Sequence, residues 1–211
     1  MDTKTMVSML IKALDNQEYS FNDALYSGAF IERFDYQTGA KKIISETLQS
    51  VNKHIVSYEH IDKSSFDRDI RRFQQNVDER MLIAWGYKSG SLSIVGIMYA
   101  DNLSDSEISK LFSKLDDGVT NIMRNHTGHV AGGNDGGTYG TMFLVFSDSN
   151  KASHFNNSIR DFYSSHFFKS TYISAMCLDC SSETLTQGKA AFGASWQGGM
   201  DVASLRRQLF S

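Results

Sequence analysis

Between residues 81 and 100 the chain reads MLIAWGYKSGSLSIVGIMYA, two apolar runs (81–87 and 92–99) separated by Lys88-Ser89-Gly90-Ser91. Two such runs around a short polar segment with one glycine predict a β-hairpin whose turn uses a residue free to take positive φ. Neither run alternates cleanly between apolar and polar. Both faces of this hairpin are therefore expected to lie under other structure, at the centre of a sheet.

Upstream the pattern is helical. Met6, Met9, Leu10, Ala13 and Leu14 recur at helical spacing, and Ser20-Phe21-Asn22-Asp23 reads as a helix start leading into Ala24, Leu25 and Ile31. Gly39 separates that piece from a helix with Ile44, Leu48, Val51 and Ile55 on one stripe, and a fourth helix aligns Phe66, Ile70, Phe73 and Val77. Downstream of the hairpin, Ser104 and Glu107 fit a capping box, with Leu103 placed to staple against Ile108. Ile108, Leu111, Leu115, Val119 and Ile122 continue as one stripe, long enough to cover a sheet face.

A glycine-rich loop, NHTGHVAGGNDGGTYG at 125–140, precedes a short buried strand, 142–146. A helix with Ala152, Phe155, Ile159, Phe162 and His166 at core spacing follows, then a strand over 172–178. This is a β-α-β unit, with a right-handed crossover expected if its strands are parallel neighbours. Residues 181–199 are polar and then Gly- and Ala-rich around Phe192 and Trp196, before Asp201 caps a last helix with Val202, Leu205 and Leu209 inward.

The predicted order is four helices, then β-β-α-β-α-β, then a terminal helix. That is an α/β (or α+β) fold, a mixed sheet of four or more strands with helices packed on it. One domain over 1–211 is expected, with 1–78 a helical layer or lobe, 79–180 the sheet core and 181–211 a tail.

Composition narrows the function classes more than the fold. Of 211 residues, 41% are hydrophobic and 21% charged, enough for a core that needs neither metal nor disulfide to fold. The formal net charge of −3 goes against a protein whose main task is gripping phosphates, so nucleic acid is not the favoured partner. No apolar run approaches the roughly 18–20 residues of a membrane span. Asp2, Lys4 and Lys12 spoil a signal-peptide reading of the first residues, so the cytoplasm is the expected location. With no proline, turns fall to Gly, Asn, Asp and Ser.

No motif commits the chain to a chemistry. The glycines at 132–140 lie before a strand and lack the G-x-G-x-x-G spacing, so no helix amino terminus is aimed at a bound anion. Gly188-Lys189-Ala190 lacks the hydroxyl of a phosphate loop, His-Glu-x-x-His is absent, and Ser195 misses the G-x-S-x-G elbow by one residue. His126 and His129 together with Cys177 and Cys180 supply four zinc-type ligands. A strand would send Cys177 and Cys180 to opposite faces, however, and a small buried thiol is the commoner outcome. The ends of the two parallel strands carry Ser147, Asp148, Ser149 and Asp179, placed to hold a divalent ion or share acid–base work with His129 from the loop. The competing use is structural: a cap at Asp148 and a turn at Asp179.

Two surfaces suggest contact rather than catalysis. Trp196 stands among small residues as a contact anchor. Arg68, Arg71 and Arg72 cluster on the fourth helix, able to touch phosphate or an acidic partner, although Asp67 and Asp69 dilute them toward an ordinary solvated face. The expectation is a non-catalytic protein-interaction module, an accessory subunit or adaptor of a larger intracellular assembly, with no resident cofactor. The alternative is a small metal-dependent or hydrolytic enzyme using acids at the strand carboxyl ends.

Overall fold

The computed structural model describes residues 1–21, 40–52, 63–78, 80–88, 91–127, 138–165, 173–187 and 200–211. Within them, in chain order, lie α1 (Thr3–Asn16), β1 (Ser20–Phe21), α2 (Ala40–Ser50), α3 (Lys63–Val77), β2 (Leu82–Lys88) and β3 (Ser91–Tyr99). Then come α4 (Asp105–Ile122) with a π-helical turn (Met123–Thr127) at its end, β4 (Thr138–Phe146), α5 (Ser149–Ser165), β5 (Ile173–Asp179), β6 (Thr184–Gln187) and α6 (Val202–Phe210). The described strands form one six-stranded mixed sheet in the order β1-β2-β3-β4-β5-β6. β1, β2 and β3 pair antiparallel, β3, β4 and β5 parallel, and β6 antiparallel to β5.

Alternation along each strand sends neighbouring side chains to two cores, which is why the sequence shows apolar runs without a polar face. On one face Leu82, Ala84, Val95, Ile97, Phe143, Val145, Met176 and Leu178 pack with α1, α2 and α6. On the other, Ile83, Ile94, Met98, Met142, Leu144, Ala175 and Cys177 pack with α3, α4 and α5. The hairpin is β2 and β3, in register from Leu82 opposite Ile97 to Lys88 opposite Ser91, and both its faces are covered. The α4 capping box forms: Glu107 Oε2 accepts from Ser104 N at 2.8 Å and Ser104 Oγ accepts from Glu107 N at 3.3 Å.

Several glycines are points of close approach, and two of them fix how elements cross. Tyr19 crosses over Gly86, its ring atoms 3.4 Å from where a Cβ would sit, and its hydroxyl donates to Ser93, the cross-strand partner of Gly86, at 2.9 Å. At Gly118 in α4, the Phe73 ring of α3 fills the space of the missing side chain.

Some expectations change. Ser20-Phe21 pairs with Trp85 and Ala84 as an edge strand, while Asn22, Asp23 and the helix expected after them lie outside the described residues. The polar start of the tail contains a strand, β6, as the turn after Asp179 returns the chain antiparallel. β4 begins at Thr138, inside the stretch read as loop, because its first residues pair with Leu92–Ile94 of β3. Ala24, Leu25, Ile31, Ile55, His166, Phe192 and the turn residues Ser89 and Gly90 lie outside the described residues.

Strand order follows chain order throughout the described sheet. The crossover helices α4 and α5 both pack in the second core, on the same face. The order never reverses, so the sheet lacks the crevice that opens where successive crossovers leave to opposite faces. No helix among the described residues is long and apolar enough to cross a membrane.

Candidate functional site at the carboxyl ends of the parallel strands

Register aligns the three parallel strands at their carboxyl ends. Tyr99 lies opposite Val145, and Phe146 opposite Asp179. Ala100 N donates to Val145 O at 2.8 Å and Cys180 N to Phe146 O at 2.9 Å, carrying the ladder one residue past each strand. Three loops therefore leave the sheet side by side, with carboxylates and hydroxyls alternating along the rim.

Asp101, 9% exposed, holds the first two loops together. Ser147 N donates to both its oxygens, at 3.0 and 3.1 Å, and the Ser147 and Tyr99 hydroxyls donate to Oδ2. Tyr99 is kept protonated: burial first, then its bond to Asp101, pushes its pKa up to about 12. Lys151 Nζ donates to the Asp101 carbonyl oxygen at 2.5 Å.

Asp179, 6% exposed, does the same for the third loop. Its Oδ1 accepts from Ser181 N, Ser181 Oγ and Ser182 N at 3.0, 2.8 and 3.1 Å, closing the turn into β6, and its Oδ2 accepts from Ser149 Oγ at 2.7 Å. Desolvation raises its pKa, but the hydrogen bonds from Ser149, Ser182 and Ser181 outweigh it and hold the carboxyl below the usual range. Asp148 caps α5: its carbonyl accepts from Ala152 N at 3.0 Å and its Oδ1 from Asn150 N at 2.8 Å.

Asp148 and Asp179 therefore face different donors and share no ligand. Asp101 and Tyr99, which the sequence reading passed over, are bonded to each other and both to Ser147. Their signal was positional: Asp101 follows an apolar arm, and only the parallel pairing of β3 with β4 places that arm's end on this rim.

Beside the rim, a cleft of about 440 Å³ opens between the first turns of α4 and α5. Ile108, Phe146 and Phe155 line its floor, the two rings 5.6 Å apart. Across it, His154 Nε2 of α5 is hydrogen-bonded to Asp105 Oδ2 of α4 at 2.9 Å.

Of the four zinc-type ligands, the three that are described do not come together. Cys177 faces the second core and Cys180 the first, as the odd offset requires, and burial first pushes each thiol up to about 12. His126 lies in the π-helical turn, its side chain 5% exposed, with Nε2 3.0 Å from Asp69 Oδ2 and its ring edge-on to Phe66. His129 and Trp196 lie outside the described residues. Among the described residues no three His, Cys, Asp or Glu side chains are grouped to hold a metal ion.

Arg68, Arg71 and Arg72 are exposed on α3. The acid between them is turned under: Asp69 Oδ2 accepts from Asn125 Nδ2 at 3.1 Å as well as meeting His126, while Arg68 Nε stands 3.7 Å from Oδ1. Compared with known proteins, the chain matches no family model, no curated protein and no solved structure.

Proposed function

We propose that this chain is a non-catalytic protein-interaction module, an accessory subunit or adaptor of a larger cytoplasmic assembly that works without a resident cofactor. The observation that supports this reading is where the rim carboxylates point. Asp101, Asp148 and Asp179 occupy the end of the sheet where α/β enzymes gather reacting groups. Asp148 Oδ1 accepts from Asn150 N alone, whereas Asp101 and Asp179 are turned onto several backbone N–H and hydroxyl groups of the rim loops. A carboxylate with its lone pairs spent this way stabilises a turn and leaves little for a substrate proton or a metal ion.

The test is in-cell cross-linking followed by purification and light scattering. A discrete complex of defined stoichiometry, heavier than the 23.7 kDa chain, is the expected result. A chain that stays at its own mass and cross-links to nothing above background overturns the reading.

A second reading, a small metal-dependent or hydrolytic enzyme, draws on the cleft, where a histidine–aspartate pair stands over an apolar floor. Thermal-shift screening with divalent ions checks it, and a shift lost in Asp105→Asn but kept in Asp148→Asn would favour it.

A further inference from the structure

We infer that the outer face of α3, with the groove it forms against α4, docks an acidic peptide segment of a partner protein. The inference rests on the interaction reading above and names the partner's chemistry.

At about 100° per residue, Phe66, Ile70, Phe73 and Val77 define the buried side of α3, and Arg68, Arg71 and Arg72 fall opposite it. From Arg68 to Arg72 the patch runs about 6 Å along the axis. Arg71 and Arg72 make no ion pair among the described residues. In the sequence, Asp69 looks like a diluting charge. In the structure its side chain is only 15% exposed and is spent on His126 and Asn125, whereas that of Arg68 is 63% exposed. Asp67 stays beside the arginines, half-buried, so three exposed guanidinium groups face one acid on this part of the helix.

The patch continues into a groove of about 330 Å³ where Arg72 and Lys114 are balanced by Asp69 and Asp117, with Asn76 and Asn121 beside them over a Phe73 floor. The groove offers amide groups, and the excess of positive charge is on the helix face. Guanidinium groups bind carboxylates in two-pronged fashion, and amide side chains match the donors and acceptors of a peptide backbone. This spacing suits neighbouring acidic side chains of one extended segment. It suits nucleic acid less well, because a duplex site engages on the order of six to ten phosphates and the chain as a whole carries a net charge of −3.

The experiment uses the full chain and a fluorescein-labelled peptide of alternating Glu and Gly, read by anisotropy, with a Lys/Gly peptide and single- and double-stranded oligonucleotides as the other arms. The expected result is Glu/Gly binding that weakens about tenfold or more in Arg68→Glu/Arg72→Glu, and by a similar factor as salt rises from about 50 to 500 mM. Both arginines are exposed, so the double variant should keep the parent's circular dichroism and melting temperature. No Glu/Gly binding at low salt, binding indifferent to the charge reversal, or tighter oligonucleotide binding through the same arginines each overturns the inference. In-cell cross-links that map a partner elsewhere overturn it too, while leaving the interaction reading intact.

Discussion

Gly118 sits inside α4, where glycine costs about 1 kcal/mol relative to alanine, so Gly118→Ala should stabilise the protein if helix propensity decided the outcome. The contact with α3 argues the reverse. A Cβ at 118 would lie 2.1 Å from Phe73 Cδ2 and 2.2 Å from Cε2, where ordinary contact starts at 3.4 Å. The ring would have to retreat by more than an ångström, yet Phe73 is 3% exposed and wedged between two helices. Overpacking a tight core typically costs about 1–3 kcal/mol, and more when backbone must move. An overlap this deep belongs in the upper part of that range, about 2–3 kcal/mol, so subtracting the propensity gain leaves a net loss on the order of 1–2 kcal/mol, or roughly 2–8 °C in melting temperature for a chain of this size. Thermal melts and urea titration of Gly118→Ala, Phe73→Leu and the double variant measure it. Leucine at 73 makes room, so alanine at 118 should cost nothing, or help, in that background, the signature of direct coupling. A Gly118→Ala protein that melts at or above the parent refutes the packing argument.

Other outcomes follow from the buried polar groups. Asp179 has a folded pKa below its unfolded value, so its contribution is present above about pH 4 and lost as pH falls through the folded pKa. Asp179→Asn should therefore melt below the parent at neutral pH, with the gap closing in acid; a pH-independent gap contradicts the assignment. Cys177 and Cys180 should resist a thiol reagent at pH 8 and both react once denaturant is added, because burial keeps them protonated and covered; rapid labelling of either in the folded protein counts against that packing. Burial first raises Tyr19 and Tyr99 to about 12, so the native state keeps both protons while the unfolded chain releases them above about pH 10. Their contribution to stability is therefore lost as pH climbs through that window, and an ultraviolet titration should show a late-ionising fraction that shrinks in Tyr99→Phe. An unchanged late fraction would show that Tyr99 is not among those residues.

The parts of this fold that were legible in the sequence are those with a long signal. The two hairpin arms, the stripe and capping box of α4, and the cap of α6, where Ser204 N donates to Asp201 Oδ1 at 2.8 Å, each rest on several residues that agree. β1 could not be read this way, because two residues have no period, and Ser20-Phe21 carries the local chemistry of a helix start while its partner is more than sixty positions away. β6 is four residues with one buried side chain, Leu185, and its existence depends on the Asp179 turn. The rim was half legible. Ser147 and Asp179 follow obvious strands, but Asp101 joins them only through a parallel pairing that no local pattern announces.

The agreement between strand order and chain order has a consequence for how the molecule is made. Each strand from β2 to β6 can dock onto the one synthesised just before it, so the topology lets a nascent chain build its sheet in the order the ribosome delivers it. The first core cannot close on that schedule. Leu205 and Leu209 of α6 belong to it, and Gln17 beside α1 exchanges hydrogen bonds with the Asp201 backbone at 3.0 Å in both directions. A helix that emerges after all the described strands, α6, seals the layer that α1 begins.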